Sequence, residues 1–304
     1  MKRLNSKRKK GYSLLKNQWQ MLVMMLPFFI IFFFLLIVPI ISSLFLSFTS
    51  YDMLNPARFI GIKNYLRMFV TDEVFPSVLK NTVVIVLITG PAGFLSAFLL
   101  AWLVNEFTPN VRTLLSFMFY APSLAGNAFF VWKVIFSGDS YGYLNSFLLN
   151  LGLITEPVTW LNDKTWLMPI IIMVQLWQSM GISFLSNIAG LQNVSRDLYE
   201  AGAIDGIRNR WQELWYITLP SMQHMILFSV VMQIQSSFTV STITTELAGY
   251  PSVGYSVDTI VSHMTDVGNV RFEMGYASAI AAILFLIMAG TRIILGKFLK
   301  IIGK

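Results

Sequence analysis

Residues 192–223 read QNVSRDLYEAGAIDGIRNRWQELWYITLPSMQ, and at each end they run into a long stretch free of Asp, Glu, Lys and Arg, Thr165–Ser195 and Leu214–Thr245. The join is far longer than a simple helix–helix turn needs. Ser195 stands where an N-cap is expected, with Asp197 in the first turn, where negative charge suits the helix dipole. Leu198, Ala201 and Ile204 then recur three apart on one face with Val194 preceding them, while Glu200 and Gly202 lie on the other. Asp205-Gly206 ends this helix, because glycine takes the left-handed conformation without steric cost. A second helix is expected from about Arg210 to Ile217. Pro220 sits where a helix start tolerates a missing N–H. The stretch therefore predicts a short helix lying across the ends of two apolar spans, with a glycine bend behind it.

The remainder of the chain has the composition that such spans require. Of its 304 residues only 12% are charged and 55% are apolar, and the mean hydropathy is +0.64. A soluble domain carries about a quarter charged residues, so soluble, disordered and fibrous classes are excluded. The absence of cysteine excludes disulfide scaffolds, thiol catalysis and Cys-ligated metal. Two histidines, His224 and His263, are too few for a His-rich metal site, and both are expected to be interfacial or solvated. A bilayer core of about 30 Å needs roughly 20 apolar helical residues. Six segments qualify: Asn17–Tyr51 with a dense core at Leu22–Phe48, Asn81–Asn105, Thr113–Trp132 continuing to Phe136, Thr165–Ser195, Leu214–Thr245, and Met274–Thr291 with an apolar pattern extending to Leu295. The first has the basic flank of a signal peptide. Its core is about twice the usual length and no small-x-small site follows Ser47, so it is expected to remain a membrane helix.

Charge then sets the orientation. With the N-terminus inside, the inner segments 1–20, 105–112, 191–222 and 292–304 hold fifteen Lys and Arg, against five in the outer segments 49–78, 137–166 and 248–273. Both termini are thus expected in the cytoplasm. Seven of the 22 basic residues precede residue 17, so the net charge of +7 reflects a tail suited to orientation and contact with membrane lipid rather than to nucleic acid.

The spans carry uncharged polar groups, which are costly in hydrocarbon unless they face protein or water. Gln175, Gln178 and Ser179 mark the fourth span, and Gln233 and Ser237 the fifth, where Ser241 would extend a stripe of residues four apart. Asn127 is expected to face them from the third. Amides and hydroxyls both donate and accept, so these six residues are candidates to line a path for a neutral solute. Hydrogen bonding between helices accounts for any single one of them equally well. Phosphate loops, metalloprotease, nucleophile-elbow and paired-carboxylate motifs are absent from the sequence, and no enzyme is expected. No acidic or arginine residue lies near a span centre, which argues against a proton relay.

Glu200-Ala201, Gly206 and Ile217-Thr218-Leu219-Pro220 resemble the EAA loop of binding-protein-dependent ABC importer permeases. Two departures are visible: Gly202 replaces the second alanine, and the spacing from Gly206 to Ile217 is one residue longer than the family's. Phe59-Ile60-Gly61 with Asn64-Tyr65, and the run Pro122, Trp132, Gly142, Asn145, resemble the maltose-type carbohydrate branch. The resemblance covers nearly the whole chain. It implies an all-α integral membrane protein of six transmembrane helices with the type I ABC importer permease fold. Its parts would be a basic tail at 1–21, a first transmembrane helix at 22–48, an extracytoplasmic loop at 49–78, a permease core at 79–298 with the coupling loop at 191–222, and a tail at 299–304. Leu198, Glu200, Ala201, Gly202, Ile204, Asp205 and Gly206 would form the element that couples to an ATPase. The family's machine has a second, related permease chain, two ATPase subunits and an extracytoplasmic solute-binding protein. The permease itself binds no cofactor, and ATP and Mg²⁺ belong to the ATPase. The competing reading is a self-sufficient secondary transporter or channel for a neutral polar solute, and a membrane-embedded enzyme is a third. The EAA loop without an ion relay favours the first.

Overall fold

The computed structural model describes Trp19 and residues 21–302. Their only β feature is an isolated bridge between Thr49 and Phe59. Helix α1 (Met21–Leu46) carries a π-turn at Phe33–Ile37. After a loop containing a helical turn at Lys63–Leu66 come α2 (Phe75–Asn105), α3 (Pro109–Leu124), α4 (Phe130–Ile135) and α5 (Tyr143–Asn150). Next are α6 (Lys164–Gln192), α7 (Arg196–Ile204) and α8 (Arg210–Glu213), which runs into a π-turn at Leu214–Thr218. Helices α9 (Gln223–Phe238), α10 (Thr242–Ala248), α11 (Ile260–Thr265) and α12 (Met274–Ile302) complete the chain. The basic tail expected over 1–21 lies outside the described residues except for Trp19 and Met21. At the other end α12 continues through 299–302, where a tail was expected, because the apolar pattern does not stop at Lys297.

Five segments are long and apolar enough to cross a bilayer, and the third crossing differs from expectation. It is not one helix. Ala125 adopts an extended ψ of 97°, and turn residues 125–129 separate α3 from α4. Pro122 removes the N–H that would bond the Met118 carbonyl, and Gly126 and Asn127 are poor helix formers. The 16 residues of α3 cover about 24 Å, so the crossing is completed by the broken segment. The fifth crossing is also interrupted, at Thr239–Ser241, between α9 and α10.

Helices α2, α6 and α9 pack against one another, and α3 lies on α6. Lipid tails are as apolar as leucine, so close van der Waals contact and interhelical hydrogen bonds hold these helices together rather than apolar burial alone. Small residues permit the approach: Ala97 and Ala101 of α2 are fully buried against Phe184 and Ile188 of α6. Helix α12 packs on the last turns of α1 and on α11. The first part of α1 is not buried by any other described residue, and its apolar side chains are exposed throughout.

Candidate functional site

A polar cavity of about 250 Å³ lies between α6 and the broken fifth crossing. Gln175, Gln178 and Ser179 line it from one side and Ser236, Thr239 and Ser241 from the other. Gln175 Nε2 donates to the Ser236 carbonyl at 3.3 Å and so ties the two walls. The Gln178 Oε1 is buried and accepts no hydrogen bond among the described residues. No Asp, Glu, Lys or Arg reaches the wall.

Gln233 and Ser237 stand elsewhere. Both are fully buried and form a ladder between helices instead of a cavity wall. Gln233 Nε2 donates to Ser179 Oγ at 2.8 Å and to the Thr89 carbonyl at 3.3 Å, while Ser183 Oγ donates to Gln233 Oε1 at 3.2 Å. Ser237 receives a 2.8 Å bond from Thr89 Oγ1. A buried amide must be matched on both sides, and α2 and α6 supply the partners from turns that no sequence spacing links to α9. Asn127 is exposed in the break between α3 and α4 and is not part of the cavity wall, because the helix that would have aimed it inward ends at Leu124. The expected stripe through Ser241 is cut by the break after Phe238, which turns Ser241 toward the cavity.

At the other end of α6, Ser195 caps α7 by accepting from the Asp197 N–H. The helix stops in a Schellman arrangement: the Ile207 N–H donates to the Gly202 carbonyl, the Gly206 N–H to that of Ala203, and Gly206 has a φ of +95°. Gly202, expected on the same face as Glu200 and opposite the apolar row, is instead buried under Ile217 and Ile207. Tyr199 hydrogen-bonds Thr218 at 2.9 Å on the same inner side. Leu198, Glu200, Ala201 and Asp205 point outward, and Ile204 is 87% exposed. A nine-residue helix thus presents an apolar row to whatever lies beyond the chain.

The far surface is closed by a buried cluster. His263, expected to be solvated, is 1% exposed, with Nε2 at 2.9 Å from Asp72 Oδ2 and Nδ1 at 3.3 Å from the Tyr250 hydroxyl. Tyr276 also donates to Asp72. Burial by itself would raise the Asp72 carboxyl, but the bonds from Tyr276 and His263 outweigh it and hold the group below its ordinary range. Asp258 is pushed up instead, because its desolvation outweighs the hydrogen bonding from Ser252 and the nearness of His263. Among the described residues no group of three or more potential metal ligands is gathered.

The family model described as "Binding-protein-dependent transport system inner membrane component" matches residues 91–299, which include the second half of α2, all of α6, α7 and α9, and the cavity. The chain belongs to this family. It is therefore a transport permease of the inner membrane, working with a binding protein, and not an enzyme. The probable ABC transporter permease protein YesP of Bacillus subtilis (strain 168) is 33% identical over 298 residues, 95% of this chain and 93% of that one. The arabinooligosaccharides transport system permease protein AraP of the same organism is 30% identical over 258 residues, 82% of this chain and 79% of that one. A chain from the crystal structure of a bacterial ABC transporter involved in import of the acidic polysaccharide alginate superposes with a TM-score of 0.79 at 24% identity, covering 97% of this chain and 100% of that one. The fold is thus shared over nearly all of the described residues.

Ser123 and Thr242 also line the permease's cavity and were not singled out in the sequence. Ser123 follows a helix-interior proline and Thr242 opens α10, so both are positioned by helix breaks that periodicity does not register. Thr89, the partner of Ser237 and Gln233, has no polar neighbour three or four residues away, and Thr82 and Ser96 lie two turns off on its face.

Proposed function

We propose that this permease forms the membrane path of an ATP-driven importer for a neutral sugar or oligosaccharide. Gln175, Gln178 and Ser179 touch the solute, and the α7 helix docks in a groove of a separate ATPase subunit that binds ATP and Mg²⁺. The observation that carries the solute class is the uncharged cavity wall of amides and hydroxyls. A sugar hydroxyl both donates and accepts, so it can pair with such groups without burying a charge. The relative named for arabinooligosaccharides supports the same class. The assembly has this chain, a related but different second permease chain, two ATPase subunits and an extracytoplasmic solute-binding protein, with both termini of this chain cytoplasmic.

Uptake by the complex reconstituted in vesicles tests the assignment. Losing one buried hydrogen-bonding partner costs about 1–3 kcal/mol, roughly a 5- to 150-fold loss of affinity. Gln175→Leu and Gln178→Leu should each impair uptake by that order while the ATPase still co-purifies. Normal uptake by both would return these residues to helix packing.

A further inference from the structure

A second cavity, of about 750 Å³, separates α9 from the inner part of α12. Its walls are apolar, with Ile234 and Phe238 on one side and Phe285 and Met288 on the other. Two features interrupt them. Gln235 lies at mid-depth, where a bare amide in hydrocarbon is unfavourable, and its side chain meets no hydrogen-bond partner among the described residues. Arg292 and Lys297 line the cavity further along α12 and enter none of the ion pairs among the described residues. Arg292 is eighteen residues beyond Met274, about 27 Å along the helix, which puts it close to one edge of the hydrocarbon layer.

An apolar furrow that ends in two unpaired cations has the polarity of an anionic amphiphile. A neutral helix from another protein would fill the furrow and leave both cations unmatched. A soluble anion would satisfy the cations and leave the apolar walls bare. We propose that the α9–α12 furrow is a binding site for one anionic phospholipid. Its acyl chains lie along Ile234, Phe238 and Phe285, its phosphate meets Arg292 and Lys297, and an ester carbonyl receives the Gln235 amide. Only the choice of the cytoplasmic leaflet rests on the orientation proposed above. The lipid would brace α12 against α9, which bears the Gln233 ladder on its opposite side.

Native mass spectrometry of the delipidated complete importer, titrated in detergent with phosphatidylglycerol or phosphatidylcholine, tests this. The wild type should retain phosphatidylglycerol in preference to phosphatidylcholine. The double substitution Arg292→Gln with Lys297→Gln should weaken that retention about 30-fold, taking each surface cation at its usual contribution. Ala289→Trp, which fills the furrow, should abolish retention with the subunits still together. Equal retention of the two lipids, or unchanged retention in the double variant, would overturn the proposal. So would dissociation of the second permease chain in Ala289→Trp, since the furrow would then hold a neighbouring helix. Binding in detergent is independent of insertion direction, so an error of orientation would leave the result intact and change only the leaflet.

Discussion

A methyl group at Gly93 would fall on the Gln233 amide, with the Gln233 Cδ only 2.7 Å away. That amide is held by Ser179, Ser183 and Thr89 at once, so it has nowhere to move without leaving buried groups unpaired. A methyl at Gly202 would come as close to the end of Ile217, at 2.6 Å from its Cδ1, but an isoleucine terminus can rotate at a cost of order 1 kcal/mol. Alanine also gains about 1 kcal/mol of helix propensity over glycine. Gly202→Ala should therefore be close to neutral, whereas Gly93→Ala should cost about 1–3 kcal/mol for the broken ladder. Thermal unfolding of the purified complex ranks them, and a reversed order would mean that the ladder contributes little. The comparison also explains the departure at Gly202 from the family's alanine: Ile207 and Ile217 close over the last turn of α7 and occupy the space a side chain would take. Nothing in the sequence ties Gly93 to Gln233, and only the crossing of α2 over α9 brings them together.

Among the elements, α7 was legible in its cap, its apolar row and its terminating glycine, which lie within one short stretch of chain, but not in the burial of Gly202, which depends on Ile207 and Ile217 folding back over it. The long helices were legible from apolar length alone. The two broken crossings were not, since residues 125–129 and 239–241 are as uncharged as the helices they interrupt, and the break at Gly126-Asn127 depends on a carbonyl freed by Pro122. The same breaks account for the mixed outcome at the site: Gln175, Gln178 and Ser179 lie on the unbroken α6, and Asn127 and Ser241 do not share its continuity. For α7 the stop itself is testable. A β-branched residue at the φ of +95° held by Gly206 is strained by about 1–2 kcal/mol or more, enough to tilt the row that α7 would present to an ATPase. Gly206→Val should keep the ATPase bound yet lose its stimulation by loaded binding protein, and Glu200→Lys should reduce co-purification of the ATPase by reversing a charge at a small docking face. Normal stimulation and co-purification in both variants would remove the coupling role from α7.

On the scale of the whole molecule, orientation decides which compartment α7, the cavity and the α9–α12 furrow each face. Fifteen basic residues against five would place the loop bearing α7 inside, and the buried Asp72–His263–Tyr276 cluster would then close the outer surface, where a binding protein arrives. The exposed first part of α1 would face lipid or the second permease chain. The absence of cysteine makes the test direct. Ser140, exposed between α4 and α5, and Asn110 and Arg208, exposed on the opposite side, accept single cysteines because their side chains make no hydrogen bond or ion pair among the described residues. Arg208 is preferable to its neighbour Asn209, whose side chain caps α8 through the Gln212 N–H and whose loss would cost about 1 kcal/mol. A membrane-impermeant thiol reagent on intact cells should label Ser140→Cys and spare Asn110→Cys and Arg208→Cys, and Asn110→Cys should become reactive once the membrane is permeabilised. Labelling of Asn110→Cys and Arg208→Cys in intact cells, with Ser140→Cys protected, would put α7 on the side without ATP. The coupling role could not survive that result, because a helix can transmit closure of an ATPase only from the compartment in which the ATPase works.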